Sequence, residues 1–253
     1  MTDVAIDVRG ARLHPRFVRP AVIAHRGASG TRPENTLAAF TRAVALGAHM
    51  IELDVQLTLD GEVVVLHDDT LDRTTSGSGP VARRPWPEVA ALDAGAWFGP
   101  EFAGERVPRL ADVLAAVPVG VNVELKPGAD DGLERRTLEV VAEAGALRRV
   151  VLSSFDPQRL LRLRALSPDA DLAVLSAGTR ASPPLTLAER VAATALHIRK
   201  SRAVPHLVAA AHASGLAVRV WTVNCQEEFS FVTLAGADAV FSDFPERFLL
   251  SRA

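Results

Sequence analysis

The chain has 253 residues, 48% hydrophobic and 23% charged, the balance of a globular protein with enough apolar surface for a packed core, so disorder is not expected. A formal net charge of -2 leaves no basic surplus for a phosphate polymer, so nucleic acid is not an expected partner, whereas a small phosphate ester needs only one or two cationic side chains. Cys225 is the only cysteine, which excludes an intrachain disulfide and a cysteine-rich metal site.

The first twenty residues carry Asp3, Asp7, Arg9, Arg12, Arg16 and Arg19 without the apolar stretch of a secretory signal. Ala21 to His25 then reads as a first strand, and Asn35 to Gly47 as an amphipathic helix with Asn35 as its N-cap. His49 to Val55 is a second strand. Val63 to His67 follows after a link too short for a parallel crossover, so it should return antiparallel. With Asp60-Gly61 as a two-residue turn, Leu59 pairs with Glu62 and His67 falls opposite Asp54. A stretch over residues 68–108, rich in Gly, Ser and Pro and bearing Trp86, Trp97 and Phe98, reads as an insertion that packs as a small cap, with Trp97 and Phe98 in its own core.

Beyond it, strands at Val121 to Leu125, Val150 to Ser153, Leu172 to Leu175, Leu196 to Ile198, Ala217 to Trp221 and Ala239 to Ser242 alternate with helical stretches. Those stretches are Leu110 to Val117, Leu133 to Gly145, Pro157 to Leu166, Leu187 to Ala195, Pro205 to Gly215 and Gln226 to Gly236. Eight strands with helical crossovers predict an α/β fold with a parallel sheet, and the length suits one barrel domain over residues 1–253. No run approaches the ~18 uninterrupted apolar residues of a membrane span. A cytoplasmic location is expected.

Glu52 and Asp54 lie two apart on a strand and leave one face of it together. Adjacent carboxylates repel unless a cation or proton sits between them, although an isolated pair of this kind is often just a solvated strand end. Glu124 on the next parallel strand can complete a three-carboxylate site, whose all-oxygen ligation suits Mg²⁺ or Ca²⁺. Lys126 shares that face, placed either to neutralise a phosphate or to pair with Glu124. His25 and Arg26 end the first strand, where the guanidinium suits bidentate phosphate binding. A lone histidine there could be structural, but His67 brings a second imidazole toward the same carboxylates. Two imidazoles near neutral pKa can exchange base and acid roles, which cleavage of a phosphate diester requires. His14, His49, His197, His206 and His212 lack a carboxylate at a telling spacing, although His197 and Arg199 sit at a late strand end and could face the pocket. Pro33-Glu34-Asn35 should shape the first loop, with Glu34 within reach of the site.

The ordered strings Ala24-His25-Arg26-Gly27, Pro33-Glu34-Asn35-Thr36, Glu52-Leu53-Asp54-Val55, His67-Asp68-Asp69-Thr70-Leu71-Asp72-Arg73-Thr74-Thr75, Asn122-Val123-Glu124-Leu125-Lys126 and Ser242-Asp243-Phe244-Pro245 are together far more specific than any one alone. Across residues 21–248 the chain resembles the glycerophosphodiester phosphodiesterase family. The resemblance implies a TIM-type (β/α)8 barrel with a small insertion after the hairpin of the second strand. It also implies dependence on one divalent cation, Mg²⁺ or Ca²⁺, and hydrolysis of a small-molecule glycerophosphodiester to sn-glycerol 3-phosphate and an alcohol. By matching positions, Glu52, Asp54 and Glu124 take the metal, His25 and His67 the acid/base work, and Arg26 and Lys126 the phosphate, while Trp221 lines the substrate pocket. Ser242 stands where the family often has threonine, and Arg109 to Asp112 is less acidic than usual. Competing readings are a phospholipase D-like enzyme acting on lysophospholipids, a non-catalytic phosphometabolite-binding barrel, a zinc hydrolase, and a Schiff-base enzyme using Lys126.

Overall fold

The computed structural model describes residues 19–128, 131–178 and 184–249. The charged positions expected at Asp3 to Arg16, and His14, lie outside them. Nine strands run β1 (Ala21–Ala24), β2 (Met50–Leu57), β3 (Val63–Val65), β4 (Gly120–Leu125), β5 (Val150–Ser154), β6 (Asp171–Ser176), β7 (Ala195–Arg199), β8 (Ala217–Trp221) and β9 (Ala239–Ser242). All but β3 pair in parallel, and contacts of β1 with both β9 and β2 close an eight-stranded TIM-type barrel. The helices are α1 (Leu37–Ala45), α2 (Trp86–Ala90), α3 (Leu110–Ala116), α4 (Leu133–Glu143), α5 (Pro157–Leu166), α6 (Pro184–Arg190), α7 (Pro205–Ala213) and α8 (Gln226–Leu234).

The period of two along each strand sorts side chains between two cores. Ile51, Leu53 and Val55 of β2 and Val121, Val123 and Leu125 of β4 face outward and pack with helix residues such as Phe40, Val113, Leu160 and Val208. The inward set, with Ile23, Met50, Val151, Ala173, Ala195, Ala239 and Phe241, fills the barrel with a much smaller apolar layer. Inward positions nearer the strand C-termini are therefore free to be polar. Several helices end on a glycine at positive φ, as at Gly47, Gly145, Gly215 and Gly236, where the left-handed turn releases the chain toward the next strand.

Three local expectations are corrected. Thr36, not Asn35, caps α1, its hydroxyl accepting from Ala39 N at 3.3 Å, because Asn35 sits at φ +58 and turns its amide toward the site instead. The β2–β3 turn has three residues rather than two: Thr58 N bonds Glu62 O at 3.0 Å, and Gly61 takes φ +82. The extra residue slides the register by one, so Leu66, not His67, stands opposite Asp54, with Leu66 N bonding Asp54 O. Finally, α6 begins at Pro184 and ends at Arg190, ahead of the predicted span, and Ala195 already belongs to β7.

The insertion packs around Leu66, Leu71, Val81, Val89, Ala94 and Val107 with Trp86 against them, and the expected place of Trp97 and Phe98 in that core is corrected: neither belongs to it, and Trp97 is 41% exposed. Trp97, Phe98 and Phe102 form a separate edge-to-face row beside that aliphatic core. The chain leaves the insertion alongside β3, where Val65 N bonds Pro108 O. Among the described residues no helix is long and apolar enough to cross a membrane.

Candidate active site

The strand ends of β1, β2 and β4 meet at one mouth of the barrel. Glu52, Asp54 and Glu124 are 2%, 1% and 8% exposed, and each offers an oxygen within 4.8 Å of the others. Register fixes this, since Asp54 pairs with Glu124 and Glu52 with Asn122 across β2 and β4. So much buried negative charge is unfavourable alone. Burial and the neighbouring Asp54 push Glu52 up to about 8, and the same causes raise Glu124. Burial also opposes ionisation of Asp54, but Lys126 and Arg26 outweigh it and hold that carboxyl at about 2. Lys126 Nζ bonds Glu124 Oε1 at 3.0 Å and Asp54 Oδ1 at 3.3 Å, so the lysine does pair with the acids while still lining the cavity. Three buried carboxyl groups, two of them made harder to ionise by burial and by their neighbours, form a set of oxygen ligands that a hard divalent cation satisfies, since its charge favours their ionised forms.

Arg26 adopts φ +56 just after β1, and this turn aims its backbone N at Glu52 Oε2, 2.8 Å away. Gly27 makes the turn possible: at φ +82, a Cβ there would lie 2.6 Å from the Ala39 backbone. The Arg26 guanidinium reaches Glu34 at 2.8 Å and Asp54 at 3.4 Å. Asn35 donates to Asp54 Oδ2 at 2.9 Å and so fixes that carboxylate.

Both expected histidines line the same cavity, of about 170 Å³, together with Arg26, Glu52, Asn122, Glu124, Lys126 and Trp221. His25 Nδ1 lies 2.7 Å from Asp243 Oδ1, and its Nε2 lies 4.0 Å from Glu52 Oε2. Burial pushes His25 down, but Glu52 and Asp243 outweigh it and the net shift is upward. His67 lies beyond β3, where the Gln56 amide donates to the carbonyls of Leu66 and Asp68 on either side of it. Its Nδ1 is 2.6 Å from Asp68 Oδ1. Burial lowers its pKa, with Asp54 opposing and Arg26 and Lys126 adding to the fall. The two imidazoles are thus shifted in opposite directions.

Trp221 lines the opposite wall with Phe155, Leu175, Thr222 and Phe241, its ring edge-on to Phe155 at 5.6 Å. His197 does not reach the cavity: it is fully buried within the barrel against Phe241, and burial and Arg219 drive its pKa far down. Arg199 is exposed. Glu34 bonds Arg26 without lining the cavity. His49 accepts from Val22 N, and His206 is exposed. His212 does have a carboxylate partner, Asp238 at 2.8 Å, with nearly half of the imidazole in solvent. Trp97 and Phe98 are absent from the cavity wall.

Sequence reasoning missed the groups behind the histidines. Asp243, gripped by Asn224 Nδ2 at 2.7 Å and Ser29 Oγ at 3.2 Å, aligns His25, and its only signal was membership of the Ser242-Asp243-Phe244-Pro245 string. Arg73 and Glu34 tie the His67 side to Arg26. Arg159, 1% exposed, donates to the Lys126 carbonyl at 3.0 Å and pairs with Asp131 and Glu134, so it anchors the end of β4 that carries the lysine.

The sequence profile of the Glycerophosphoryl diester phosphodiesterase family matches residues 25–247. A glycerophosphodiester phosphodiesterase of Caldanaerobacter subterraneus subsp. tengcongensis is 39% identical over 234 residues, covering 90% of this chain and 96% of that one. One of Bacillus altitudinis is 35% identical over 234 residues, covering 89% and 95%. Among solved structures, an Oleispira antarctica phosphodiesterase in complex with the product sn-glycerol-3-phosphate superposes with a TM-score of 0.83 at 35% identity, covering 90% and 95%. The chain belongs to the glycerophosphoryl diester phosphodiesterase family and is a phosphoric diester hydrolase.

Proposed function

We propose that the chain hydrolyses glycerophosphodiesters to sn-glycerol 3-phosphate and an alcohol by two-histidine acid/base catalysis beside one Mg²⁺ or Ca²⁺ held by Glu52, Asp54 and Glu124. The observation that carries this reading is the convergence of His25 and His67 on one cavity beside that carboxylate cluster. When bound, the cation supplies Lewis-acid stabilisation of charge on the phosphoryl oxygens. The chain's own groups do the rest. One imidazole accepts the proton of the attacking 2-hydroxyl of the glycerol, and the other protonates the alkoxide as it leaves as an alcohol. With roles exchanged, the pair then activates water to open the resulting cyclic phosphate. Arg26 and Lys126 bind the phosphoryl oxygens, and each is placed by carboxylates that offset its burial.

Asn122 Oδ1 and Trp221 Nε1 are buried atoms without a protein partner on residues lining the cavity, and they offer an acceptor and a donor to glycerol hydroxyls. The apolar wall is confined to a few side chains of a small cavity. That favours a compact diester over a lysophospholipid, which needs a continuous apolar channel for its acyl chain. A cytoplasmic location accords with the lone Cys225.

The test is incubation of purified protein with glycerophosphocholine, glycerophosphoethanolamine, glycerophosphoinositol and a lysophospholipid, with and without EDTA. Release of glycerol 3-phosphate from the first three, suppressed by EDTA and restored by Mg²⁺ or Ca²⁺, is the expected result. Turnover of the lysophospholipid alone, or turnover indifferent to chelation, refutes it.

A further inference from the structure

Arg73 lies outside the cavity wall, yet its guanidinium makes four hydrogen bonds to two carboxylates. Nε reaches Asp68 Oδ2 at 2.6 Å and Nη2 reaches Asp68 Oδ1 at 2.9 Å. On the other side, Nη1 and Nη2 reach Glu34 Oε2 and Oε1, both at 2.8 Å. Each carboxylate is then committed to a residue of the site: Asp68 Oδ1 to His67 Nδ1 at 2.6 Å, and Glu34 Oε1 to Arg26 Nη1 at 2.8 Å. The five side chains His67, Asp68, Arg73, Glu34 and Arg26 form one unbroken chain of charge-assisted bonds. It joins the loop after β1 to the loop after β3, which no other side-chain hydrogen bond among the described residues does.

We propose that Arg73 is a positioning residue for the hydrolysis, holding the His67 imidazole and the Arg26 guanidinium in register with each other across the mouth of the barrel. The inference rests on the two-histidine reading above. Stability alone is a weak account of the arrangement, because the Arg73 side chain is 43% exposed and solvent screens its ion pairs. Geometry does account for it. A guanidinium is planar, and its fork fits two carboxylates at fixed angles. Asp68 is adjacent to His67 in sequence and could follow the imidazole through many rotamers; Arg73 removes that freedom by taking both of its oxygens. An imidazole whose Nδ1 partner is fixed keeps one tautomer and one ring orientation, which leaves Nε2 aimed for proton transfer. Lysine, with one point charge, cannot span Asp68 and Glu34 in this way.

The experiment compares wild type, Arg73→Ala, Arg73→Lys, His67→Ala and, as a control, Arg84→Ala, which removes an exposed ion pair with Glu88 in the insertion. Steady-state kinetics on glycerophosphocholine with Mg²⁺ or Ca²⁺ present, and thermal melts, are read for each. Arg73→Ala is expected to lower kcat about 10- to 100-fold, the usual cost of losing an outer group that orients a catalytic one. KM should change far less and the melting temperature little. Arg73→Lys should share the kcat loss, which covers the case in which the alanine variant folds poorly. Because Arg73 is open to solvent, added guanidinium ion should restore part of the Arg73→Ala rate and none of the His67→Ala rate; a merely structural role gives no such rescue. Arg84→Ala should match wild type. Wild-type kcat in both Arg73 variants, with His67→Ala inactive, overturns the proposal and leaves the two-histidine reading standing. A kcat loss that tracks unfolding and resists guanidinium also overturns it. Wild-type turnover in His67→Ala overturns the underlying reading and this proposal with it.

Discussion

Replacing Asp243 by asparagine changes one oxygen for one NH2 group and nearly nothing in volume, so its effect isolates the charge and the direction of one hydrogen bond. The carboxylate now accepts from Asn224 Nδ2 on Oδ2, and faces Ser29 Oγ and His25 Nδ1 on Oδ1. Asn224 presents an NH2 group, so an asparagine at position 243 keeps its carbonyl oxygen on that side and turns its own NH2 toward His25. Nδ1 must then accept rather than donate. The proton moves to Nε2, the nitrogen that faces Glu52 at 4.0 Å and the cavity, and His25 is held in a tautomer that cannot take a proton there. The negative charge that stabilises the imidazolium is lost as well. Holding the wrong tautomer costs an acid/base histidine on the order of 10² to 10⁴ in rate, or roughly 3 to 5 kcal/mol of barrier. The assay is kcat for glycerol 3-phosphate release from glycerophosphocholine, with circular dichroism to verify folding. A folded Asp243→Asn protein with wild-type kcat would refute the reasoning.

Three further outcomes follow from the same geometry. Mg²⁺ or Ca²⁺ should raise the melting temperature, by an amount corresponding to ~2.7 kcal/mol at a hundredfold excess over Kd; Glu52→Gln should abolish that shift, and no shift in wild type with either ion contradicts the cation site. At Asp243, burial opposes ionisation, but the bond to His25 and its charge, with Asn224 and Ser29, hold the carboxyl at about 2. That is below the ~3.9 of an unfolded chain, so its stabilisation is complete above that pH and disappears as pH falls through 2. The melting temperature of Asp243→Asn should accordingly drop less than that of wild type between pH 5 and pH 2.5, and parallel acid profiles would contradict this. Gly27→Ala should destabilise the fold by about 1 to 3 kcal/mol in urea titration, since it adds both a positive-φ strain and a clash with the Ala39 backbone; an unchanged midpoint would show that the turn tolerates a side chain.

The barrel and its five proposed catalytic and metal-binding side chains were legible because they follow local rules. Glu52, Asp54 and Glu124 interrupt apolar strands at the inward period, and His25 ends the first strand, so alternation alone brings them to one face. His67 was reached by a weaker route. Its register was predicted one residue off, because the Thr58 hydroxyl takes the Glu62 N–H and donates to Asp60, closing a three-residue turn that Asp60-Gly61 does not announce. The bonds behind the histidines were not legible. Asp243 meets His25 across 218 residues and Arg73 meets Glu34 across 39, and no local periodicity encodes such pairs. Asn35 misled for a related reason: its residue type suits a helix cap, but the fold uses its tolerance of positive φ to aim an amide at Asp54 and leaves capping to Thr36.

The arrangement is tested most directly by locating the ion itself. Crystals grown with Mn²⁺ in place of Mg²⁺ and measured for anomalous scattering should give one peak at ~2.0 to 2.6 Å from oxygens of Glu52, Asp54 and Glu124, with the rings of His25 and His67 facing it from either side. A peak bound by the imidazole nitrogens, or lying away from those three carboxylates, would contradict it.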